Sequence, residues 1–147
     1  MNDVDILKKI EKKVLWLACW MIHNANHIRE NQDGLKVGGH QASSASIVSI
    51  MTALYFNILR PEDRVAVKPH ASPVFHAIQY LSGLQTKEKI QNFRGFGGAQ
   101  SYPSRTKDID DVDISTGSVG LGVAMTSFIS LIQDYVCLLY TSPSPRD

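Results

Sequence analysis

The sequence predicts an α/β fold in which a parallel sheet is flanked by helices and preceded by a long N-terminal helix. Apolar residues recur at helical spacing from Ile6 to Ile28, and two short alternating stretches, 64–68 and 112–115, each lead towards a helix start. A sheet with two strands would leave long edges, so the fold reads as incomplete.

The first helix carries Ile6, Ile10, Val14, Leu17, Met21 and Ile28 on one stripe, with Lys8, Lys9, Glu11, Lys12 and Lys13 covering much of the other face. Asp33 and Gly34 are expected to stop it, since glycine takes the left-handed backbone that ends helices. A second helix starts near Ser43 or Ser44, carries Ile47, Val48, Met51, Leu54 and Ile58, and ends before Pro61. Residues 64–68, between Pro61 and Pro69, alternate around Val65 and Val67 and read as a short strand. Ser72 then reads as an N-cap with Pro73 in the first turn of a helix that turns Val74, Phe75, Ile78 and Leu81 inward. Thr86 caps a short charged helix that ends near Phe93. Residues 94–105, with Gly95, Gly97, Gly98 and Pro103, form a loop. Val112, Ile114 and Ser115 suggest a second strand, followed by a glycine turn and a helix apolar on nearly every side from Val123 to Tyr135, which predicts burial in a core or an interface.

With 147 residues, 44% of them hydrophobic and 20% charged, the chain is long enough for one domain with a core. A net charge of +1 gives no field to gather polyanions, which argues against nucleic acid as a partner. The longest unbroken apolar run, Val14 to Ile22, is half the length of a membrane span, and a soluble, cytoplasmic protein is expected. Cys19 and Cys137 stand far apart without a CxxC companion and read as small buried hydrophobes.

Among the histidines, His23 and His27 have the i, i+4 spacing of a metal pair but lack a third ligand, so an exposed polar face is the better reading. His76, among apolar neighbours, reads as a hydrogen-bonded structural residue. His40 follows Gly38 and Gly39, and His70 follows a predicted strand and Pro69; both precede helix starts, where ligand contact and capping are equally open. The segment Ser115-Thr116-Gly117-Ser118-Val119-Gly120-Leu121-Gly122 has the makings of a ligand cradle, with free N–H groups at a helix start and glycines that admit close approach. It is neither a GxGxxG nor a Walker loop, and close helix packing explains the glycines as well. Asp108, Asp110, Asp111 and Asp113 lack the pattern of a calcium loop and read as a solvated turn.

Taken together, Gly38-Gly39-His40-Gln41-Ala42-Ser43, Lys68-Pro69-His70-Ala71-Ser72-Pro73-Val74, Ser101-Tyr102-Pro103 and the 115–122 turn resemble the N-terminal diphosphate-binding domain of the transketolase superfamily, over roughly residues 5 to 136. Gly38-Gly39-His40-Gln41-Ala42-Ser43, the helix before it and residues 92–103 are most similar to homodimeric decarboxylating components of the pyruvate dehydrogenase type, and the glycine turn is more similar to transketolase. The resemblance implies thiamine diphosphate held between domains of a homodimer, with Mg²⁺ joining the diphosphate to the protein. It further implies a cofactor-bound carbanion formed from a ketose phosphate or a 2-keto acid, and membership of a multienzyme complex for the second chemistry. By the same resemblance His70 approaches the diphosphate and reaction centre, and His40 faces the reacting oxygens of the substrate. Gly117 and Val119, with Ser118 and Gly120 beside them, belong to the turn that holds the cofactor.

Tyr102-Pro103-Ser104 stands where transketolases carry His-Pro-Glu, so a third substrate histidine is not implied. The magnesium motif and the activating glutamate of the superfamily have no match in residues 1–136. No metal ligand is therefore assigned, and the polypeptide as written is expected not to turn over substrate. Residues 137–147 resemble a translated sequencing adapter, which divides the chain into 1–136 and a non-native tail. A competing reading is a non-catalytic α/β interaction module that docks through its apolar final helix.

Overall fold

The computed structural model describes residues 3–31, 34–108 and 111–141. Helix α1 (Asp3–His23) continues as a π-helical turn, Asn24–Ile28, and α2 (Gln41–Ala53) continues likewise through Leu54–Ile58. A 3₁₀ turn, Pro69–Ala71, leads directly into α3 (Ser72–Leu81), followed by α4 (Lys87–Gln91) and α5 (Leu121–Thr141). The core lies where α1, α2 and α3 meet. Helix α3 is enclosed from Ser72 to Gln79, and Val74, Phe75, Ala77 and Ile78 fill the centre against Val14, Ala18, Met21, Val48 and Met51. Burying a side chain the size of Phe75 or Ile78 stabilises the fold by about 1.5–3 kcal/mol.

The expected parallel sheet is absent: no strand occurs among the described residues, and the fold there is helical. The two segments read as strands do lie together, but side chains replace the ladder between them. The Val65 N–H donates to Asp113 Oδ2 at 2.9 Å, and the Thr116 hydroxyl donates to the Val67 carbonyl. Alternation around Val65 and Val67 therefore reports one buried side of an extended segment; it does not report sheet pairing.

Several element ends also differ from expectation. Helix α1 turns into its π segment ten residues before Gly34, and Asp33 lies outside the described residues. The Arg29 N–H reaches back to the Asn24 carbonyl at 2.8 Å, a five-residue step that rotates the later side chains around the helix axis. Ala25 is thereby buried, while Ile28, on the predicted stripe, is 59% exposed. Helix α2 begins at Gln41, with His40 as its N-cap residue. Thr86 caps α4 as expected, accepting from the Lys89 N–H at 3.3 Å.

The predicted burial of the last helix is not found. None of the described side chains of α5 is buried, because no other described element covers it. By length and composition alone, Leu121–Leu139 would suffice to cross a membrane. The helix continues unbroken past Val136 to Thr141, and residues 142–147 lie outside the described part. Cys19 is half-buried and Cys137 exposed, so the second is not the buried hydrophobe expected.

Candidate functional site

A cavity of ≈ 380 Å³ opens where the start of α2, the 3₁₀ turn before α3, the 94–102 loop and the start of α5 approach one another. Its size falls in the usual range of small-molecule sites. His40, His70, Gly117, Ser118, Val119 and Gly120 all line it, so the residues singled out from three distant stretches share one space. The two imidazoles stand edge to face, with ring centroids 4.8 Å apart and planes at 89°.

Each wall is fixed by bonds that the local sequence supplies. Asn26 pairs with the backbone of Gly38 in both directions: its Oδ1 accepts from the Gly38 N–H at 2.8 Å, and its Nδ2 donates to the Gly38 carbonyl at 3.0 Å. Arg94 Nη1 donates to the Val37 carbonyl at 2.7 Å, so the strand of chain before His40 is held from both sides. Gly39 has φ +124°, and an added Cβ would lie 3.0 Å from Ile22 Cγ2, so only glycine suits both the backbone and the space. On the second wall, the fully buried Ser44 hydroxyl donates to the His70 carbonyl at 3.4 Å, tying the 3₁₀ turn to α2.

The third wall is the turn before α5. The Thr116 hydroxyl fastens it to Val67, and Gly120, with φ +82°, makes the bend into the helix. Gly122 lies where an added Cβ would touch Ala66 and Thr116 at 3.5 Å, which is ordinary packing. Of these two glycines, the backbone requires only Gly120, through its positive φ, and a side chain at Gly122 would fit.

Tyr102 enters the cavity from a loop tethered by Asp108, whose Oδ2 accepts from the Ser104 N–H at 2.7 Å and whose Oδ1 accepts from the Gln100 N–H at 3.4 Å. Asp113 holds Val65 and lies 3.7 Å from Arg64 Nε. Two of the four aspartates are therefore backbone tethers and not parts of a solvated turn; Asp110 lies outside the described residues. His76, fully buried, donates from Nε2 to the Gln100 carbonyl at 2.6 Å, which gives it the structural role expected. His23 and His27 lie together with ring centroids 4.9 Å apart, in a separate exposed pocket beside Lys36 and Gln41. Among the described residues no group of three or more His, Cys, Asp or Glu could hold a metal ion.

Sequence reasoning missed Lys68, Arg94 and Ser72 as wall residues, and Asn26 as the group that sets the His40 loop. Lys68 and Ser72 flanked His70 and could have been found from that proximity. Arg94 lay in a loop without periodicity, within the 92–103 stretch that carries part of the resemblance, and nothing there marked it as a wall residue. Lys68 and Arg94 bring two positive charges to the cavity, no carboxylate among the described residues lines it, and the first turn of α5 borders it at Gly122 and Val123. Such a wall favours an anionic ligand.

A helical domain with an anion-accommodating cavity at two helix starts is the class that the fold and the site define. Among curated proteins, the chain is similar to the pyruvate dehydrogenase E1 component of Mycobacterium tuberculosis, with 30% identity over 132 residues, 82% of this chain and 14% of that protein. The E1 component of Pseudomonas aeruginosa is 29% identical over 144 residues, covering 92% of this chain and 16% of its own length. That of Escherichia coli K12 is 27% identical over 130 residues, 82% of this chain and 14% of its own. The chain spans about one-seventh of the length of these relatives. No family model matches it.

Proposed function

We propose that the chain is part of the diphosphate-binding region of a thiamine-diphosphate-dependent enzyme, and that the parent enzyme oxidatively decarboxylates a 2-keto acid. What carries the reading is the convergence of His40, His70 and the 117–120 turn on one cavity lined by Lys68 and Arg94 and, among the described residues, by no acid. The likeness to pyruvate dehydrogenase E1 components favours a 2-keto acid over a ketose phosphate as the substrate.

The residues present suit the cofactor. Its diphosphate is a multiply charged anion that matches the basic wall. The turn at Gly117 leaves room, since an added Cβ there would meet only the Tyr102 ring, at 3.5 Å. In this reading Lys68, His70 and the N–H groups at the start of α5 hold the diphosphate end. The backbone at Gly117, Ser118, Val119 and Gly120 orients the ring end. His40, perpendicular to His70 and held by the Asn26–Gly38 pairing, is placed to donate a hydrogen bond to the reacting oxygens of the substrate and to exchange a proton there. When bound, thiamine diphosphate supplies the nucleophilic carbon and the electron sink of the decarboxylation. Mg²⁺, a homodimeric parent and a multienzyme complex belong to the same proposal, and the metal is assigned to no side chain of this chain.

Calorimetric titration of the 147-residue chain with thiamine diphosphate and with thiamine tests the reading. The diphosphate form is expected to bind at least about tenfold more tightly than thiamine. His70→Ala should weaken thiamine diphosphate by about 10- to 100-fold, the range for a lost charge-assisted hydrogen bond. Equal affinity for the two ligands, or no binding of either, contradicts it.

A further inference from the structure

Among the described residues, three buried side-chain atoms have no hydrogen-bond partner: Thr52 Oγ1, Ser72 Oγ and Gln79 Oε1. Of their residues only Ser72 lines the cavity, and it is 1% exposed. The local sequence gives this hydroxyl an obvious task, since a serine before proline at a helix start normally caps the helix. The fold withholds that task. Ala71 occupies the cap position, and Ser72, with φ −57° and ψ −38°, already has helical backbone, from which its oxygen makes no capping bond. A buried hydroxyl without a partner opposes folding, and an acceptor brought by a ligand would remove that cost.

The surroundings specify the acceptor. His70, Lys68 and Arg94 line the same cavity, and no carboxylate among the described residues does. An acceptor placed there gains from negative charge, as a phosphoryl oxygen would. We infer that the Ser72 hydroxyl is a direct donor to a phosphoryl oxygen of the ligand, an assignment that rests on the thiamine diphosphate reading above. The oxygen is covered in this structure, and no hydrogen bond has to be broken for it to turn about χ1.

Ser72→Ala in the 147-residue chain separates a ligand contact from a structural role, because the two move unfolding in opposite directions. Without ligand, the variant is expected to unfold at the same temperature as the parent or higher, since an unsatisfied buried group has been removed. By calorimetry, its affinity for inorganic pyrophosphate and for thiamine diphosphate should fall about tenfold or more, while its affinity for thiamine stays the same. Unchanged pyrophosphate affinity overturns the inference, whatever the unfolding temperature does; if thiamine diphosphate still binds the parent chain, the cofactor reading survives that failure. A loss of affinity that thiamine shares marks damage to the cavity and also overturns it. A parent chain that binds pyrophosphate but not thiamine diphosphate removes the cofactor reading and with it the assignment of Ser72 to that ligand. A parent chain that binds neither removes both.

Discussion

Asn26 holds the chain two residues before His40. Its amide satisfies both backbone groups of Gly38, so replacing it with alanine leaves a donor and an acceptor unpaired at the wall of the cavity. Asn26→Ala is expected to destabilise the chain by about 1–3 kcal/mol in urea unfolding and to weaken thiamine diphosphate binding as the His40 loop loosens. An unchanged midpoint would show that the pairing does not hold the loop. Tyr55 offers a second test at this scale. Burial, with the charges of Asp113 and Asp111 adding to it, pushes its phenol well above the ordinary value of about 10. A raised value means that the folded state keeps a proton which the unfolded chain gives up, so this contribution to stability is intact below pH ~10 and shrinks as pH rises beyond it. Tyr55→Phe, which has no proton to lose, should therefore lose less stability between pH 9 and pH 11 than the parent does. Equal losses contradict the assignment.

At the scale of the elements, the loop between α4 and Tyr102 is closed on itself by its backbone. The Gly95 N–H donates to the Asn92 carbonyl at 2.8 Å, the Gly98 N–H to the Gly95 carbonyl at 3.0 Å, and the Arg94 N–H to the Ala99 carbonyl at 2.9 Å. A Cβ at Gly98 would sit 1.7 Å from the Asn92 carbonyl oxygen, which is backbone and cannot swing aside. At Gly97 an added Cβ meets nothing within 4 Å, and only its φ of +71° resists a side chain. Gly98→Ala should thus cost about 3 kcal/mol and Gly97→Ala about 1 kcal/mol in unfolding free energy, and the reverse order would show that the loop is not closed as described.

The same loop shows how much of the molecule the residues declare in advance. Helices α1 to α5 were legible because their periodicity, the Thr86 cap and Pro61 are local signals. The π turns were not, since a five-residue step leaves no composition mark. The expected strands failed for a different reason: Asp113 and Thr116 satisfy the backbone at Val65 and Val67 from 48 and 49 residues away, and nothing in the alternation of 64–68 distinguishes that from a ladder. In the site, His40, His70 and the glycine turn were visible as motifs. That Lys68 and Arg94 share one wall without an acid among the described residues became visible only once the cavity was formed.

For the whole molecule, stability is unevenly distributed. Helix α3 is enclosed by α1 and α2, whereas α5 has no buried side chain among those described. Hydrogen exchange should therefore be slowest in α3 and the middle of α1, where opening requires global unfolding, and faster by orders of magnitude in the second half of α5. Equal protection of α3 and α5 would mean that α5 is covered in solution. The cavity draws its walls from both the stable and the labile parts, since His40 and His70 rest on the core while Gly117, Ser118, Val119 and Gly120 lead into α5. A ligand that bridges them would couple the two and slow exchange at the start of α5.

The most direct test of the account is an NMR titration of the 147-residue chain with thiamine diphosphate, following the ring resonances of His40 and His70 and the amides of Gly117 and Gly120. The account predicts that all four shift together along one binding curve. Shifts confined to one wall, or curves that give different dissociation constants for the histidines and the glycines, would contradict it.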